Sequence, residues 1–317
     1  MSLGQRVAVV GCGRMGAQRA RAAHRLGAEL VLSDGDEERS RLLASEFPSA
    51  STAPPQRLDW AALDAVFVCT PAGARGPVEV AAAAAGVAVF VEKPIALSAE
   101  RAREAAEAIR SSGVTNAVGY MNRYRDGVTR AREALAGQAI FAVQGHWVGN
   151  PYQKDWWTDP QVSGSPFNDQ ASHLIDLCRY LVGEVEAVAA VERRSADHPD
   201  VADVVAFALR FAGGACGTLL HSYRAEDKHV ALNIFSPLGC TALRGWDFRG
   251  DDSGQERAAD VDGVTPIFLT ETELFLDAVA RRDPSGIRSS FDDGLRSLQV
   301  VDAVHRALAS GRLETVG

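Results

Sequence analysis

From Arg6 to about Val118, short β-branched runs alternate with alanine-rich amphipathic stretches: RVAVV then 15–26, ELVLS then 36–46, AVFVC then 75–85, VAVFV then 98–111, and last VTNAV. Strands separated by helical segments of that length imply βαβ units and a parallel sheet covered on both faces, which is why the strands are apolar at nearly every position. After Gly119 the rhythm changes. Helices are expected at about 127–136 and 167–182, with the aromatic loop GNPYQKDWWTDPQVSGS between them. Strand-like runs follow at 185–194, 202–211, 214–222 and 229–236, joined by turn sequences such as AGG and SPLG, and such short connections favour antiparallel pairing. Helices at about 269–281 and 292–310 close the chain, and the polar stretch 249–260 reads as a surface loop. The expected fold is therefore α/β: a doubly wound parallel sheet over 1–120, then an α+β domain with an open sheet over 121–317.

Composition narrows the function classes. A chain of 317 residues, 46% hydrophobic, is long enough for about two domains with sizeable cores. A formal charge of −8 and a pI near 5.4 argue against nucleic acid or an anionic membrane as partner, since both need a basic patch. The longest uncharged apolar stretch, Val80 to Val91, is interrupted by Gly86 and falls short of the ~20 residues that span a bilayer. MSLGQRVAVVGCG enters a strand without the features of a secretory signal, so a cytoplasmic location is expected. Five cysteines with no CxxC pair fit reduced thiols rather than disulfides or structural zinc.

The loop GCGRMG (Gly11, Cys12, Gly13, Arg14, Met15, Gly16) stands directly after a strand and before an amphipathic helix, and that position gives it weight. Gly11 permits a tight turn, Gly13 lets backbone approach a pyrophosphate, Gly16 allows close helix–strand packing, and the helix N-terminus offers N–H groups to the phosphates. Asp34 follows the second strand, 18 residues beyond Gly16, where a carboxylate accepts hydrogen bonds from an adenosine ribose. A carboxylate there repels a 2′-phosphate, so NAD is expected over NADP, although Ser33 and Arg39 keep NADP open. Asp36 is the alternative use of an acid in this turn, as N-cap of the next helix.

The stretch VAVFVEKPIA raises a different question, because an apolar strand stops abruptly at Glu92, Lys93 and Pro94. Taken with GCGRMG, CTP at 69–71 and DQASHLID at 169–176, it resembles the Gfo/Idh/MocA family, named after glucose–fructose oxidoreductase and inositol dehydrogenase. The resemblance covers nearly the whole chain. It implies a Rossmann domain followed by an α/β domain with an open, mostly antiparallel sheet, and oxidation or reduction of a carbinol or ketone on a sugar or cyclitol with NAD(P). It further implies that Lys93, often preceding a cis bond to Pro94, reaches nicotinamide and substrate, and that Asp169 and His173 complete the site. Thr70, Pro71, Glu92 and Arg123 join the expected cofactor contacts, and a homodimer or homotetramer is expected.

Physical chemistry supports those roles separately. Asp169 and His173, four apart, share a helix face. A histidine titrating near neutrality exchanges the alcohol proton as hydride leaves the same carbon, and an ammonium at Lys93 stabilises the alkoxide or shares that proton. Each residue taken singly has a plainer reading: solvated lysine, packed core histidine, first-turn acid. Only the set carries the chemistry. Hydride transfer to nicotinamide needs no metal, so none is expected. Tyr152, Lys154, Trp156 and Trp157 make a loop whose rings could stack on a sugar and whose lysine could bond its hydroxyls, with a subunit interface as the alternative. Departures from the family are Ala72 and Arg75 where an asparagine and a histidine are common, and SGSPFNDQ where the chain is often glycine-rich. Among the other histidines only His146, in QGHWVG, stands near the aromatic loop. A glycosidase that oxidises its sugar transiently, and a dinucleotide-sensing protein, are the other function classes open to this sequence.

Overall fold

The computed structural model describes residues 4–152, 154–196, 200–250, 260 and 263–317. The chain forms two compact units, one of Met1–Ala96, Glu100–Met121 and Ala258–Leu295, the other of Leu97–Ala99, Asn122–Arg257 and Arg296–Gly317.

The first unit runs β1 (Arg6–Val10), α1 (Arg14–Arg25), β2 (Glu29–Ser33), α2 (Glu37–Ala44), β3 (Ser51–Thr52), β4 (Ala65–Val68), α3 (Pro77–Ala84), β5 (Ala88–Val91), α4 (Ala99–Ser112) and β6 (Asn116–Val118). Its strands pair in parallel in the order β3-β2-β1-β4-β5-β6, which reverses direction of growth after β1, the doubly wound arrangement. Every residue of β4 and of β5 is buried, so the run-on apolar sequence AVFV is what a strand covered on both faces requires. Helix starts follow local chemistry. Asp36 caps α2, its Oδ1 accepting the N–H groups of Glu38 at 3.0 Å and Arg39 at 3.3 Å. Pro77 opens α3, and Gly86 follows it with φ +75°, the left-handed turn a helix end favours.

The sequence predicts a second domain running to residue 317, whereas the structure returns 258–295 to the first unit. Helix α7 (Pro266–Arg281) packs on α1, and Phe275 meets Phe67 and Phe90 edge-on with ring centroids 5.3 and 5.4 Å apart. Burying such a ring contributes about 1.5–3 kcal/mol, enough to decide which core a helix joins.

The second unit holds α5 (Asp126–Leu135), β7 (Ala142–Val148), α6 (Pro166–Leu181), β8 (Val185–Arg193), β9 (Val204–Phe211), β10 (Cys216–Ser222), β11 (His229–Ser236), β12 (Gly239–Arg244), β13 (Arg249–Gly250) and β14 (Glu314–Thr315), which follows α8 (Phe291–Ser310). Its eight strands order as β13-β12-β11-β7-β10-β9-β8-β14, all antiparallel except the β7–β10 pair. Helix α6 lies on the β7–β10 face. Strand β9 alternates accordingly, with Val205, Phe207, Leu209 and Phe211 buried and Ala208 and Arg210 exposed. The short strands β12 to β14 are not anticipated by the sequence pattern. Residues 251–259 of the expected surface loop, and His198, lie outside the described residues.

Candidate active site

The glycine loop separates its three glycines by function. Gly11 has φ +96° and donates to Ser33 O at 2.8 Å, and a Cβ there would meet the Cys69 carbonyl carbon and Thr70 nitrogen at 2.7 Å. A Cβ on Gly16 would lie 1.8 Å from Gly11 O. Those two are demanded by packing, but a Cβ on Gly13 meets nothing within 4 Å. Gly13 is the N-cap of α1, so the open space lies before the free N–H groups and positive end of that helix, with Arg14 and Met15 in its first turn.

Around this space the polar groups suit a dinucleotide. Asp34 Oδ2 accepts the Cys12 N–H at 2.7 Å and Oδ1 the Asp36 N–H at 2.9 Å, which fixes the carboxylate beside the loop, while the Arg39 guanidinium stands 3.9 Å away. Cys12 contributes backbone only: burial pushes its thiol up to about 12, and the Sγ turns to Ser33 O at 3.5 Å. Thr70 Oγ1 is buried without a partner, which a bound ligand would supply. Pro71 beside it is exposed. The residues present fit the cofactor.

Glu92 and Lys93 part company at the end of β5. Lys93 is half-buried and joined to Pro94 by a cis bond. Glu92 turns into the core, where Arg19 of α1, with no exposed surface, donates to it from Nε at 2.8 Å and lies 2.7 Å away through Nη2. The same guanidinium pairs with Glu271 of α7 at 2.5 Å, donates to Thr272 Oγ1 and sits 4.3 Å from the Phe90 ring centroid. Burial works against its charge, and Glu92 and Glu271 more than offset that. The Glu92 side chain is therefore a structural anchor, not a cofactor ligand. Arg19→Leu would leave two buried carboxylates uncompensated, and the expected loss is about 3–5 kcal/mol of unfolding free energy; an unchanged denaturant midpoint would show that the ion pairs do not form.

In the second unit, α6 is capped by Ser165, whose Oγ accepts the Asn168 N–H at 3.2 Å. Asp169 is half-buried and accepts the Trp157 indole N–H at 3.0 Å. His173, 4% exposed, stacks on Trp147 of β7 with centroids 5.2 Å apart and planes at 11°, while Trp246 meets it edge-on at 6.4 Å. Arg125 donates to Asn122 Oδ1 at 3.0 Å, which turns the Asn122 amide nitrogen toward His173 Nδ1, 3.4 Å away. The imidazole is thus held on one face and one edge. Arg123, expected among the cofactor contacts, is buried with its fork on Asp176, Nε at 2.9 Å and Nη2 at 2.7 Å, so its guanidinium is engaged in a salt bridge within the second unit. Among the described residues no group of three or more His, Cys, Asp or Glu side chains could hold a metal ion.

The aromatic loop divides in the same way. Trp157 has no exposed surface and packs with Tyr152 and Tyr223 at 4.7 and 5.4 Å, so it has no ring face left for a sugar, contrary to expectation. Its indole instead steadies Asp169. Trp156, 46% exposed, and Lys154, also exposed, remain outward. Sequence patterns miss Arg19, Asn122, Trp147 and Trp246, whose partners are set by the fold.

His221 of β10 lies beneath α6, fully buried, with Nε2 3.0 Å from Gln170 Oε1. Burial pushes its pKa from 6.5 down to about 3, against the pull of Asp169. The folded unit therefore keeps His221 neutral, and the stability this contributes is complete above about pH 6.5 and lost as pH falls toward 3. Acid unfolding is expected to take up one extra proton in that window, and His221→Gln should flatten the slope of stability against pH; an identical slope would assign the acid sensitivity elsewhere.

A doubly wound sheet with a glycine loop and ribose acid, followed by an α/β unit bearing an Asp–His helix, defines a dinucleotide-dependent oxidoreductase. Residues 5–120 match the oxidoreductase family with NAD-binding Rossmann fold, and residues 128–239 match the GFO/IDH/MocA C-terminal domain. The chain is 30% identical over 259 residues to scyllo-inositol 2-dehydrogenase (NAD(+)) of Bacillus subtilis (strain 168), covering 73% of each, and 27% identical to inositol 2-dehydrogenase of Rhizobium meliloti (strain 1021) over 97% of this chain and 98% of that one. Among solved structures, GenD2 from gentamicin A biosynthesis in complex with NAD superposes with a TM-score of 0.85 at 25% identity, over 99% of this chain and 96% of that one. Levoglucosan dehydrogenase with NADH and L-sorbose shares the fold, with a TM-score of 0.87 over 99% of both chains at 22% identity. The chain belongs to the Gfo/Idh/MocA family and carries its NAD-binding Rossmann domain.

Proposed function

We propose that this protein transfers a hydride between NAD and a carbinol or ketone carbon of a cyclitol or sugar. The observation that carries this reading is the glycine loop with Asp34 in a chain that also keeps EKP and the Asp169–His173 pair, and is 30% identical to a scyllo-inositol dehydrogenase. Bound nicotinamide supplies the hydride acceptor or donor. The N-terminus of α1 and Gly13 hold the pyrophosphate, Asp34 the adenosine ribose, and Thr70 Oγ1 gains a partner on binding. Lys93 and His173 serve the reacting oxygen, one taking or returning its proton and the other stabilising its negative charge. Asp169, steadied by Trp157, assists from the preceding turn of α6. Trp156, Lys154 and Tyr152 supply sugar contacts.

The sheet face of β7 to β10 turned away from α6 carries Val191, Ala206, Leu220 and His146 in one row, and Val191 is 70% exposed. A second copy of the chain would cover it, which makes the working form a homodimer or homotetramer. No described helix is long and apolar enough to cross a membrane; the reduced cysteine pattern supports a cytoplasmic setting.

The test is the near-ultraviolet absorbance of reduced nicotinamide when the protein meets NAD or NADP with inositols, pyranoses and their glycosides, or the reduced cofactor with the keto forms. Substrate-dependent reduction of NAD is the expected result. Binding of NAD with release of free sugar and no net reduction would overturn it in favour of a glycosidase.

A further inference from the structure

We propose that Arg75 is a positioning residue that sets the backbone on both sides of Lys93. This rests on the catalytic reading of Lys93, and it assigns a part to a position where the family commonly has histidine.

The parallel ladder between β4 and β5 ends with Glu92 N–H donating to Val68 O at 3.0 Å. Beyond that rung Pro94 has no N–H to continue it. The carbonyls that flank Lys93, Glu92 O and Pro94 O, both accept from Nη1 of Arg75. From the other side of the same guanidinium, Nε and Nη2 donate to Thr70 O at 3.0 and 2.7 Å. One planar fork thus joins the turn after β4, which carries Thr70, to the turn after β5, which carries Lys93. It replaces the ladder where the ladder stops.

Arg75 is itself fixed. It follows a short turn at Ala72–Ala74 and precedes Gly76, which has φ +116° and gives its N–H to Glu79 Oε2 at 2.8 Å. Glu79 is fully buried, and although burial raises its pKa, the Arg75 charge is among the influences that lower it. The guanidinium geometry matters as much as its charge. Five donors in a plane reach three carbonyls on two segments, whereas a lysine ammonium is a compact point on a flexible stem and cannot span them.

The experiment compares Arg75→Ala, Arg75→Lys and Lys93→Met in the full chain, by kcat on the substrate found in the absorbance assay and by NAD affinity. Misplacing a reacting group by about 1 Å costs roughly 10²-fold, so Arg75→Ala and Arg75→Lys are expected to lose about that in kcat with NAD affinity held within about threefold, and free guanidinium ion to restore part of the alanine variant's rate. A readout that needs no substrate is the NMR resonance of reductively dimethylated Lys93, identified by its loss in Lys93→Met, which should move in both Arg75 variants. Wild-type kcat and an unmoved resonance, with Lys93→Met impaired, would overturn the role of Arg75 and leave that of Lys93 standing. Equal losses of kcat and NAD affinity without rescue would make Arg75 a general brace and also overturn it. Wild-type turnover by Lys93→Met would sink the catalytic reading itself. If the alanine variant fails to fold, the lysine variant decides by the same outcomes.

Discussion

Lys93→Met is expected to lower kcat by about 10⁴-fold while leaving NAD affinity within about threefold of the parent, since a group needed at the transition state is lost without touching uniform binding. The reasoning is local to the end of β5. Methionine matches the length and apolar stem of lysine, so the half-buried side chain is replaced without a cavity, and only the ammonium disappears. Neither the glycine loop nor Asp34 depends on that ammonium: Gly11 is closed by Ser33 O and Asp34 by the N–H groups of Cys12 and Asp36. The check is a pair of measurements on one preparation, nicotinamide absorbance for turnover and titration calorimetry for NAD. Joint loss of NAD binding and folding would make Lys93 structural. Retained turnover would leave the chain's EKP without its catalytic meaning.

How much of this was legible in the sequence depends on the range of the interaction concerned. The parallel sheet is written in period and composition, because strands such as AVFV are buried on both faces and their helices carry one apolar stripe. The Asp36 cap, Pro77 start and Gly86 stop are set within four residues, and local chemistry suffices for them. Arg19 is the opposite case. On α1 it falls between Gly16 and Ala23, on the stripe that is buried, but a helix with four arginines reads as solvated until its partners are known, and Glu271 lies 252 residues away. The destination of α7 was hidden for the same reason: nothing in PIFLTETELFLDAVAR says that Phe275 will meet Phe67 and Phe90 rather than the core of the second unit. The aromatic loop shows a third limit. DWW offers two tryptophans side by side, and only the backbone turn at Asp155–Trp157 determines that Trp157 enters the core and bonds Asp169 while Trp156 faces outward.

His173→Ala is expected to lower kcat by about 10²–10⁴-fold, the usual worth of a positioned proton-transfer group, and to remove a limb from the pH–rate profile. Two contributions would be lost together: the imidazole's exchangeable proton, and the flat ring on Trp147 that keeps it in place. A smaller variant separates them. Asn122→Leu leaves the stack and removes the amide that meets Nδ1 and accepts from Arg125, which keeps its ion pair with Asp247, so it should cost kcat less than His173→Ala and shift the profile rather than delete a limb. An unchanged rate in His173→Ala would make it a packed core histidine like His221 of β10, which is the plainer reading of a side chain 4% exposed. The decisive comparison is with Lys93. If both groups serve one reacting oxygen, the double variant Lys93→Met with His173→Ala should be scarcely slower than the worse single variant, since neither can complete the proton and charge transfer without the other. Losses that multiply would mean that the two act on separate steps, and the assignment of both to that oxygen would have to be given up.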